Sequence, residues 1–326
     1  MQPTGDGVLQ VEPTDHCNLS CSMCAPHHEQ WETVHGIAKG MLDPILWEQI
    51  LTRMVIDDCR FDHIIFQWLG DPSLHPDLPD LVRRTVAHMS DRVGYLRIDT
   101  NGILLTPAKI DALVEVMAKP GSPPLLLVFT LDAVSDSVYT RVKGQHALPR
   151  VKRNIRHLVR RRRELGEACG INLQFQFVVQ EGNAHEAELF LDYWKALLAC
   201  QGDERWHDEV LFKRLSVGGG AEGQAKADDL YRLTMERSKI RPGMHGSVEV
   251  KTWESRPWQQ DDAHDLSERT ACPGLWTTPV IRHDGHLMMC CADLRGELNL
   301  GSLAEKGFRE LWDGEHATER RLNHLD

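Results

Sequence analysis

Three cysteines near the amino terminus have the spacing of a metal-binding loop. Cys17, Cys21 and Cys24 form a C-x3-C-x2-C motif. A structural zinc site closes all four tetrahedral positions with protein ligands, whereas a reactive centre keeps one position open. Four-iron clusters are usually held by four thiolates, so three thiolates leave one iron free to bind another molecule. The motif therefore predicts a cluster with one open coordination position.

Two other interpretations of this motif stay open. The first is a zinc site, because His16, His27 and His28 lie nearby, although such sites usually pair two C-x2-C units or add histidines at fixed spacing. The second is a set of structural thiols, since free cysteine often behaves as a small core residue.

The motif, with Met23 before its last cysteine, resembles the signature of the radical S-adenosylmethionine (SAM) enzymes. The resemblance implies that Cys17, Cys21 and Cys24 hold a [4Fe-4S] cluster whose fourth iron binds the amino and carboxylate groups of SAM. It also implies that reductive cleavage of SAM yields a 5′-deoxyadenosyl radical, which abstracts hydrogen from a substrate carbon. Met23 is expected to pack near the SAM adenine.

The segment Gly70-Asp71-Pro72 resembles the Gly-Glu-Pro segment of the same family, which binds the amino group of SAM. Aspartate replaces the usual glutamate, and Trp68 stands where the family usually has a small residue. Gly-Asp-Pro is also a common turn sequence, so an ordinary turn is the alternative.

Two more positions resemble SAM contacts of the family. Thr130 and Asp132 match its Ser-x-Asp pattern, and Asn101 lies in a Thr-Asn-Gly segment that the family shares. The alternatives are a helix cap for Asp132 and a simple turn for the segment around Asn101.

A second cysteine group lies near the carboxyl terminus, at Cys272, Cys290 and Cys291, around the hairpin signal Asp284-Gly285. It resembles the SPASM/twitch extension of radical SAM enzymes, and Cys272 and Cys290 match two ligands of its auxiliary iron–sulfur cluster. The later C-x2-C pair of the family is not found after Cys291. Three explanations stay open: a shortened chain, a cluster that uses Cys291 and a non-cysteine ligand, or no cluster.

Cys291 and Asp293 are candidate catalytic residues. A thiol beside a substrate radical can donate hydrogen from the opposite face and so cause epimerisation, and a partly buried carboxylate can act as a general base. The alternative is a structural cysteine and a carboxylate at the end of a hairpin.

Strand-like and helix-like segments alternate from Val8 to about Ser216 and predict an α/β fold with parallel strands. Six such units, with the resemblance, imply a partial (β/α)6 barrel whose chemistry lies at the carboxyl ends of the strands. The predicted strands are Val8–Glu12, His63–Trp68, Tyr95–Asp99, Leu125–Leu131, Leu173–Val179 and Val210–Leu215. The predicted helices are Pro44–Val55, capped by Asp43, Leu78–Met89, Pro107–Met117, capped by Thr106, Val151–Leu165 and Ala184–Ala199.

The chain divides into three predicted parts. Residues 1–216 form the barrel. Residues 217–271 show no clear period and are expected to be a linker with short ordered pieces, or a lid. Residues 272–326 form a small β-hairpin plus helix extension. Its predicted elements are the strands Thr278–Arg282 and His286–Met289 and a helix that includes Phe308, Leu311 and Trp312.

The composition argues against several partners and compartments. The net charge of −11 does not suit a nucleic-acid or acidic-membrane surface, and the basic run Arg160–Arg163 is expected to be a solvated helix face. The first ten residues lack the apolar core of a secretion signal, and an odd number of cysteines suits free thiols in the reducing cytoplasm.

These observations and the resemblance predict an enzyme that dehydrogenates or epimerises a small polar substrate, such as a sugar or an aminocyclitol. An electron donor such as flavodoxin or ferredoxin is expected as partner. Few residues precede the first strand, which favours a small substrate over one that needs an amino-terminal peptide-recognition domain. A peptide or protein maturase is the alternative enzyme, and a metal-stabilised interaction protein is the alternative without catalysis.

Overall fold

The computed structural model describes residues 7–24, 39–199, 206–216, 221–253, 272–294 and 296–325. Strands of these residues form one eleven-stranded sheet. They are β1 (Val8–Val11), β2 (Phe61–Phe66), β3 (Val93–Thr100), β4 (Leu125–Thr130), β5 (Ile171–Val179), β6 (Asp208–Arg214), β7 (Gly243–His245), β8 (Val248–Lys251), β9 (Val280–Ile281), β10 (His286–Met288) and β11 (Asn299–Ser302).

The order across the sheet is β11-β10-β9-β1-β2-β3-β4-β5-β6-β8-β7. Strands β1 to β6 are parallel neighbours in chain order, and β8 adds a further parallel strand beside β6. This order confirms the predicted α/β fold, a partial (β/α)6 barrel with a small carboxyl-terminal extension.

Helices connect most of the parallel strands. They are α1 (Pro44–Ile56), α2 (Leu78–Met89), α3 (Pro107–Met117), α4 (Asp136–Lys143), α5 (Leu148–Leu165), α6 (Ala187–Ala199), α7 (Ala221–Arg237), α8 (Gly274–Thr277), α9 (Phe308–Trp312) and α10 (Glu315–Leu325). The bounds predicted for α2 and α3 agree with the structure. Among the described residues, no helix has the length and apolar character needed to cross a membrane.

Local sequence explains where α1 begins and which side it buries. The Asp43 carboxylate accepts hydrogen bonds from the amides of Ile45 and Leu46 at 2.7 and 3.0 Å, and Pro44 occupies the first turn, as predicted. The buried side chains recur at helical spacing, so one face packs on the sheet. They are Trp47, Ile50, Leu51 and Met54.

Side chains alternate between the two faces of the barrel strands. One set is buried together with the helices, as in Leu9, Ile64, Leu96 and Ile98. The other set faces the inside of the partial barrel and is largely polar. Its polar members include Gln10, His63, Tyr95, Arg97, Asp99, Thr130, Gln174, Gln176, Glu209 and Lys251.

The extension continues the barrel sheet. Strand β9 pairs in parallel with β1, with Gln10 opposite Val280, and β9 and β10 form the predicted hairpin with Gly285 at a positive φ of 82°. The hairpin strands are shorter than predicted, and β11 was not predicted. Strand β11 pairs antiparallel with β10 and supplies the outer edge.

Part of the chain expected to be a linker or lid is regular structure. The described residues between 217 and 271 contain α7, β7 and β8, and β8 pairs with β6. Ordered pieces were expected here, and β7 and β8 are short, but α7 has 17 residues and is longer than the pieces predicted. Residues 217–220 and 254–271 lie outside the described residues. Helix α4 was also missed, and β2 begins two residues before the predicted start.

The basic run Arg160–Arg163 is only partly solvated. Arg162 is fully buried, and its guanidinium makes two hydrogen bonds with the Asp208 carboxylate at 2.7 and 2.5 Å. Position 162 lies four residues after Leu158, on the same apolar face of α5, so its side chain points inward. The prediction of a solvated helix face is therefore wrong for Arg162.

Candidate active site

The three amino-terminal cysteines lie in the loop between β1 and α1, at the carboxyl end of β1. Cys17, Cys21 and Cys24 are half-buried, and Cys17 and Cys21 pack against the main core. The amide of Cys24 donates to the carbonyl of Cys21 at 3.1 Å, which closes a turn between the last two cysteines. The structure therefore gathers the motif into one compact loop.

Gly70 presses directly on the start of this cysteine loop. A Cβ at Gly70 would lie 2.3 Å from the Thr14 carbonyl oxygen and 2.5 Å from that of His16. The next amide, that of Asp71, donates to the His16 carbonyl at 2.9 Å. Glycine is required at position 70 because two backbone segments meet there.

The Asp71 carboxylate joins the ends of β2 and β3. It accepts hydrogen bonds from the Thr100 hydroxyl at 2.9 Å, the Asn101 amide at 2.6 Å and the Ser73 amide at 2.9 Å. Burial raises the pKa of Asp71, and these hydrogen bonds oppose that rise. Pro72 begins a short 3-10 turn and is buried. A contact between this segment and SAM stays a prediction.

Asn101 connects the end of β3 to the cysteine loop. Its Nδ2 donates to Asn18 Oδ1 at 2.9 Å, and its Oδ1 accepts from the Ile103 amide at 2.9 Å. The residue thus forms a turn, as the alternative interpretation expected, and also holds the loop.

Two other predicted SAM contacts lie near the same end of the barrel. Met23 is half-buried, with its sulfur 3.9 Å from Gln180 Nε2. Thr130 ends β4 on the polar inner face, opposite Gln176 of β5. Their roles in binding SAM stay predictions.

Helix α4 holds the cysteine loop from the other side. The amides of Ser20 and Ser22 donate to the carbonyls of Lys143 and Val142 at 3.4 and 3.1 Å. Gly144 follows with a φ of 79°, and a Cβ there would lie 2.4 Å from the Ser20 hydroxyl. Both Gly70 and Gly144 therefore leave room for the loop backbone.

A buried ion pair lies beneath this contact. Lys143 Nζ is 2.5 Å from Asp132 Oδ2, and both side chains are at most 4% exposed. Asp132 has a positive φ of 58°, and its Oδ1 accepts from the Val178 amide at 2.7 Å. The helix-cap alternative for Asp132 is wrong, because Ser135 caps α4. A contact of Asp132 with SAM stays a prediction.

Lys143 is a residue of this region that the sequence analysis missed. Burial alone would lower the pKa of Lys143, but the Asp132 carboxylate holds it above its usual value. The signal that could have found it is the pattern of α4, in which Ser135 precedes buried Val138, Tyr139 and Val142 and Gly144 ends the helix.

The thiols of the loop suit a positively charged centre. Burial raises the pKa of Cys17 to about 12 and also raises the pKa of Cys21, which Lys143 partly offsets. The protein alone therefore keeps these groups as neutral thiols, whereas a bound metal deprotonates a coordinating thiol. Three such thiols in one loop fit an iron–sulfur centre that supplies the missing positive charge.

A single-ion site is not formed by the described residues: they contain no group of three or more His, Cys, Asp or Glu side chains placed to hold one metal ion. A four-iron cluster binds each thiolate to a different iron, so it does not require that arrangement. His27 and His28, which kept the zinc interpretation open, lie outside the described residues.

The second cysteine group is also brought together. The Cys291 thiol donates to Cys290, which lowers the pKa of Cys290 to about 6 and raises the pKa of Cys291. Cys272 is close enough to raise the pKa of Cys291 electrostatically. The amide of Cys272 donates to Nε2 of His324 in α10 at 2.9 Å.

Asp293 closes the loop that follows these cysteines. Its carboxylate accepts from the amides of Glu297 and Leu298 at 3.1 and 2.7 Å. This arrangement agrees with the alternative of a carboxylate at a hairpin end. Catalytic roles for Asp293 and Cys291 stay predictions.

A buried contact between barrel and extension was not predicted. Glu12, at the end of β1, accepts from the Leu69 amide at 3.3 Å and lies 3.1 Å from Nδ1 of His283. Burial alone would lower the pKa of His283, but Glu12 and Asp15 hold it above its usual value. An acidic residue between an apolar strand and the cysteine motif is the only sequence signal for this contact.

The fold and the site together define a class of protein: a partial parallel barrel that carries three thiols in the loop after its first strand. The family model of the radical SAM superfamily matches residues 11–172, and the iron–sulfur cluster-binding SPASM domain matches residues 272–326. The chain belongs to the radical SAM superfamily and carries a SPASM extension, as the cysteine motif predicted.

Two curated relatives match part of the chain. One is a "Tungsten-containing aldehyde ferredoxin oxidoreductase cofactor-modifying protein" of Pyrococcus furiosus, 31% identical over 162 residues, or 48% of this chain and 40% of that protein. The other is a "GTP 3',8-cyclase" of Erythrobacter litoralis, 22% identical over 64% of this chain and 54% of that protein. The chain thus spans about half the length of these relatives or less.

Solved structures share the fold over nearly the whole chain. The protein anSMEcpe with bound AdoMet superposes with a TM-score of 0.61 at 16% identity, over 96% of this chain and 82% of that chain. The same protein with bound AdoMet and Kp18Cys peptide has a TM-score of 0.60 at 15% identity, over 98% and 83%. At this identity the similarity concerns the fold alone.

The two family models also bear on cofactors. They confirm the prediction that the chain is an iron–sulfur and SAM protein, and an auxiliary iron–sulfur cluster fits the SPASM extension. The type of reaction and the substrate do not follow from these matches.

Proposed function

We propose that this chain dehydrogenates or epimerises a small polar substrate, such as a sugar or an aminocyclitol, held inside the partial barrel. The observation that carries this proposal is the polar inner face of the sheet. Polar groups inside a protein cost free energy unless they form hydrogen bonds. A substrate rich in hydroxyl or amino groups would supply such bonds, and an apolar substrate would not.

Paired charges make up much of this face. Arg97 binds Asp99 through two hydrogen bonds of 2.6 and 2.7 Å. Glu209 accepts hydrogen bonds from Gln174 and Lys251. The first pair lies on β3, and the second group lies on the neighbouring strands β5, β6 and β8. Each group could exchange one internal hydrogen bond for a bond to a substrate hydroxyl.

The neighbouring His63 and Tyr95 add a flat surface to the same face. Their rings stack at 4.4 Å with an angle of 9° between planes. Burial, with the Arg97 charge, lowers the pKa of His63 to about 4, so its imidazole is neutral at physiological pH. A neutral imidazole both donates and accepts hydrogen bonds, which suits a hydroxylated ligand.

In this proposal Cys17, Cys21 and Cys24 hold the [4Fe-4S] cluster. Met23, Asn101, Thr130, Asp132 and the segment Gly70–Pro72 line the SAM site. When bound, the cluster and SAM supply a radical that removes a hydrogen atom from carbon. Cys291 is the proposed hydrogen donor and Asp293 the proposed base. Flavodoxin or ferredoxin would supply the electron, in the cytoplasm.

The experiment is anaerobic reconstitution with iron and sulfide, followed by assay of 5′-deoxyadenosine. Wild type should contain iron and cleave SAM under reducing conditions, and Cys17→Ala should abolish cleavage. Cys169→Ala, which also removes a buried thiol, is the matched control and should stay active. A Cys17→Ala protein that still forms 5′-deoxyadenosine would contradict the assignment.

Deuterium transfer decides the substrate class. Deuterated sugars or aminocyclitols should deliver label into 5′-deoxyadenosine, whereas peptides should not. Transfer from peptides alone would replace this proposal by a peptide maturase. One equivalent of zinc with no SAM-dependent change in an iron–sulfur signal would replace it by a metal-stabilised interaction protein.

A further inference from the structure

One buried hydroxyl near the cysteine loop has no partner in the part of the chain that the structure describes. The Tyr139 side chain is fully buried, and its hydroxyl forms no hydrogen bond with any residue there. A buried hydroxyl without a hydrogen bond costs free energy, so such groups in native proteins usually meet a partner. An acceptor that binds next to Tyr139 would supply the missing partner.

The position of Tyr139 on α4 identifies that neighbourhood. Tyr139 and Lys143 are four residues apart on one helix, so their side chains lie on the same face. The end of this helix is fastened to the cysteine loop, because the Lys143 carbonyl accepts from the Ser20 amide and Gly144 packs on Ser20. The end of α4 that follows Tyr139 therefore lies beside the loop.

Electrostatics agree with this placement. The groups that act on the Tyr139 hydroxyl are Cys21, Asp132, Asp71 and Cys17. A tyrosine hydroxyl, whose usual pKa is about 10, carries its proton at neutral pH and is therefore a donor. The carboxylates have partners of their own: Asp132 pairs with Lys143, and Asp71 accepts from Thr100 and Asn101. Cys17 and Cys21 belong to the cysteine loop, so a cluster bound there would bring sulfur acceptors close to the Tyr139 hydroxyl.

We propose that the Tyr139 hydroxyl donates a hydrogen bond to a sulfur atom of the iron–sulfur cluster held by Cys17, Cys21 and Cys24. This inference rests on the cluster assigned under the proposed function. Hydrogen bonds to cluster sulfurs are one of the factors that set reduction potentials. Because a hydrogen bond stabilises the more negative, reduced cluster, Tyr139 acts as a positioning residue that raises its reduction potential.

The test uses Tyr139→Phe, which keeps the ring and removes only the hydroxyl. The full-length protein is reconstituted without oxygen, and the potential is followed by electron paramagnetic resonance. The signal of the cluster at the first cysteine loop is identified by its absence from a triple variant that carries Cys17→Ala, Cys21→Ala and Cys24→Ala. Tyr139→Phe should make reduction about tenfold less favourable, which is about 59 mV for one electron, and should release iron to a chelator faster. Tyr193→Phe is the matched control, since its hydroxyl accepts from Arg156 at the surface.

A merely structural role would give a different result. Before reconstitution, Tyr139→Phe should unfold at the same denaturant concentration as wild type or a higher one, because no hydrogen bond is lost. Equal potentials in wild type and Tyr139→Phe would overturn the inference and leave the proposed function intact. If wild type assembled no cluster at the three cysteines, the inference and the proposed function would both fail.

Discussion

Trp68 donates its indole Nε1–H to the backbone carbonyl of Cys291 at 2.9 Å. Trp68 lies two residues before Gly70, and its ring packs with Val280 and Met288 of the extension. The segment that presses on the first cysteine loop is therefore fastened to the second cysteine group. This contact with the extension explains why position 68 holds a large residue, where the family usually has a small one.

Replacing Trp68 by phenylalanine should weaken this connection. We expect a loss of about 1 kcal/mol in the free energy of unfolding from the hydrogen bond, with a further loss from the smaller ring. Urea denaturation of the purified protein measures it. Trp276→Phe is the control, since Trp276 is 36% exposed. Equal losses in the two variants would contradict a specific role for the Trp68 contact.

Gly70→Ala should disturb the cysteine loop. The new Cβ would meet backbone oxygens of Thr14 and His16, and such crowding costs about 1–3 kcal/mol. Because the loop must move, the variant should also retain less iron after reconstitution. Iron content per chain and denaturant midpoints are the measurements.

The matched control for that variant is Gly170→Ala, because a Cβ at Gly170 would meet nothing closer than 3.9 Å. It should bind iron like wild type. Normal iron content in Gly70→Ala would show that the loop does not depend on the close approach at position 70.

Local signals predicted much of the fold, and contacts between distant residues explain most of what they missed. Asp43 and Pro44 identified the start of α1 because a cap involves only neighbouring residues. Helix α4 was missed because it has only eight residues and depends on contacts with Ser20 and Ser22. Arg162, in α5, was misjudged because its partner Asp208 lies 46 residues later, in β6.

In the candidate site, too, local patterns were predicted and contacts between distant residues were not. The spacing of Cys17, Cys21 and Cys24 predicted one loop, and the structure forms one. The order of the barrel strands explains why Thr130 and Asn101 lie near the same end. Glu12 pairs with His283, and Asp132 pairs with Lys143. The partners are far apart or on different elements, so the sequence around one residue does not identify the other.

The Glu12–His283 contact should make stability depend on pH. The pKa of His283 is raised above 6.5 in the folded protein, so the protonated form is the one that folding favours. Its contribution is complete below about pH 6.5 and is lost as pH rises through the folded pKa. We expect His283→Gln to cost about 1.5–3 kcal/mol at pH 6, typical of a hydrogen bond to a charged group, and less at higher pH.

Denaturation curves of wild type and His283→Gln across this pH range measure that difference. His316→Gln, at an exposed histidine, is the control and should show no such trend. A difference between wild type and His283→Gln that stayed constant with pH would disprove the charged contact.

Lys143→Met should be strongly destabilising. It would leave the buried Asp132 carboxylate without its cation, and breaking a buried ion pair by removing one partner costs about 3–5 kcal/mol. The double variant Lys143→Met, Asp132→Asn should recover part of this loss, because no uncompensated charge remains. Denaturation of wild type, the single variant and the double variant before iron is added separates the cost of the unpaired charge from the loss of the ion pair. A double variant less stable than Lys143→Met would refute the role of the unpaired charge.

The parallel pairing of β9 with β1 gives the extension a protective role. Without β9, the backbone donors and acceptors of β1 would form an open sheet edge directly before the cysteine loop. Open edges invite pairing with other chains. A protein truncated before Cys272 should therefore self-associate and should not be a stable monomeric barrel.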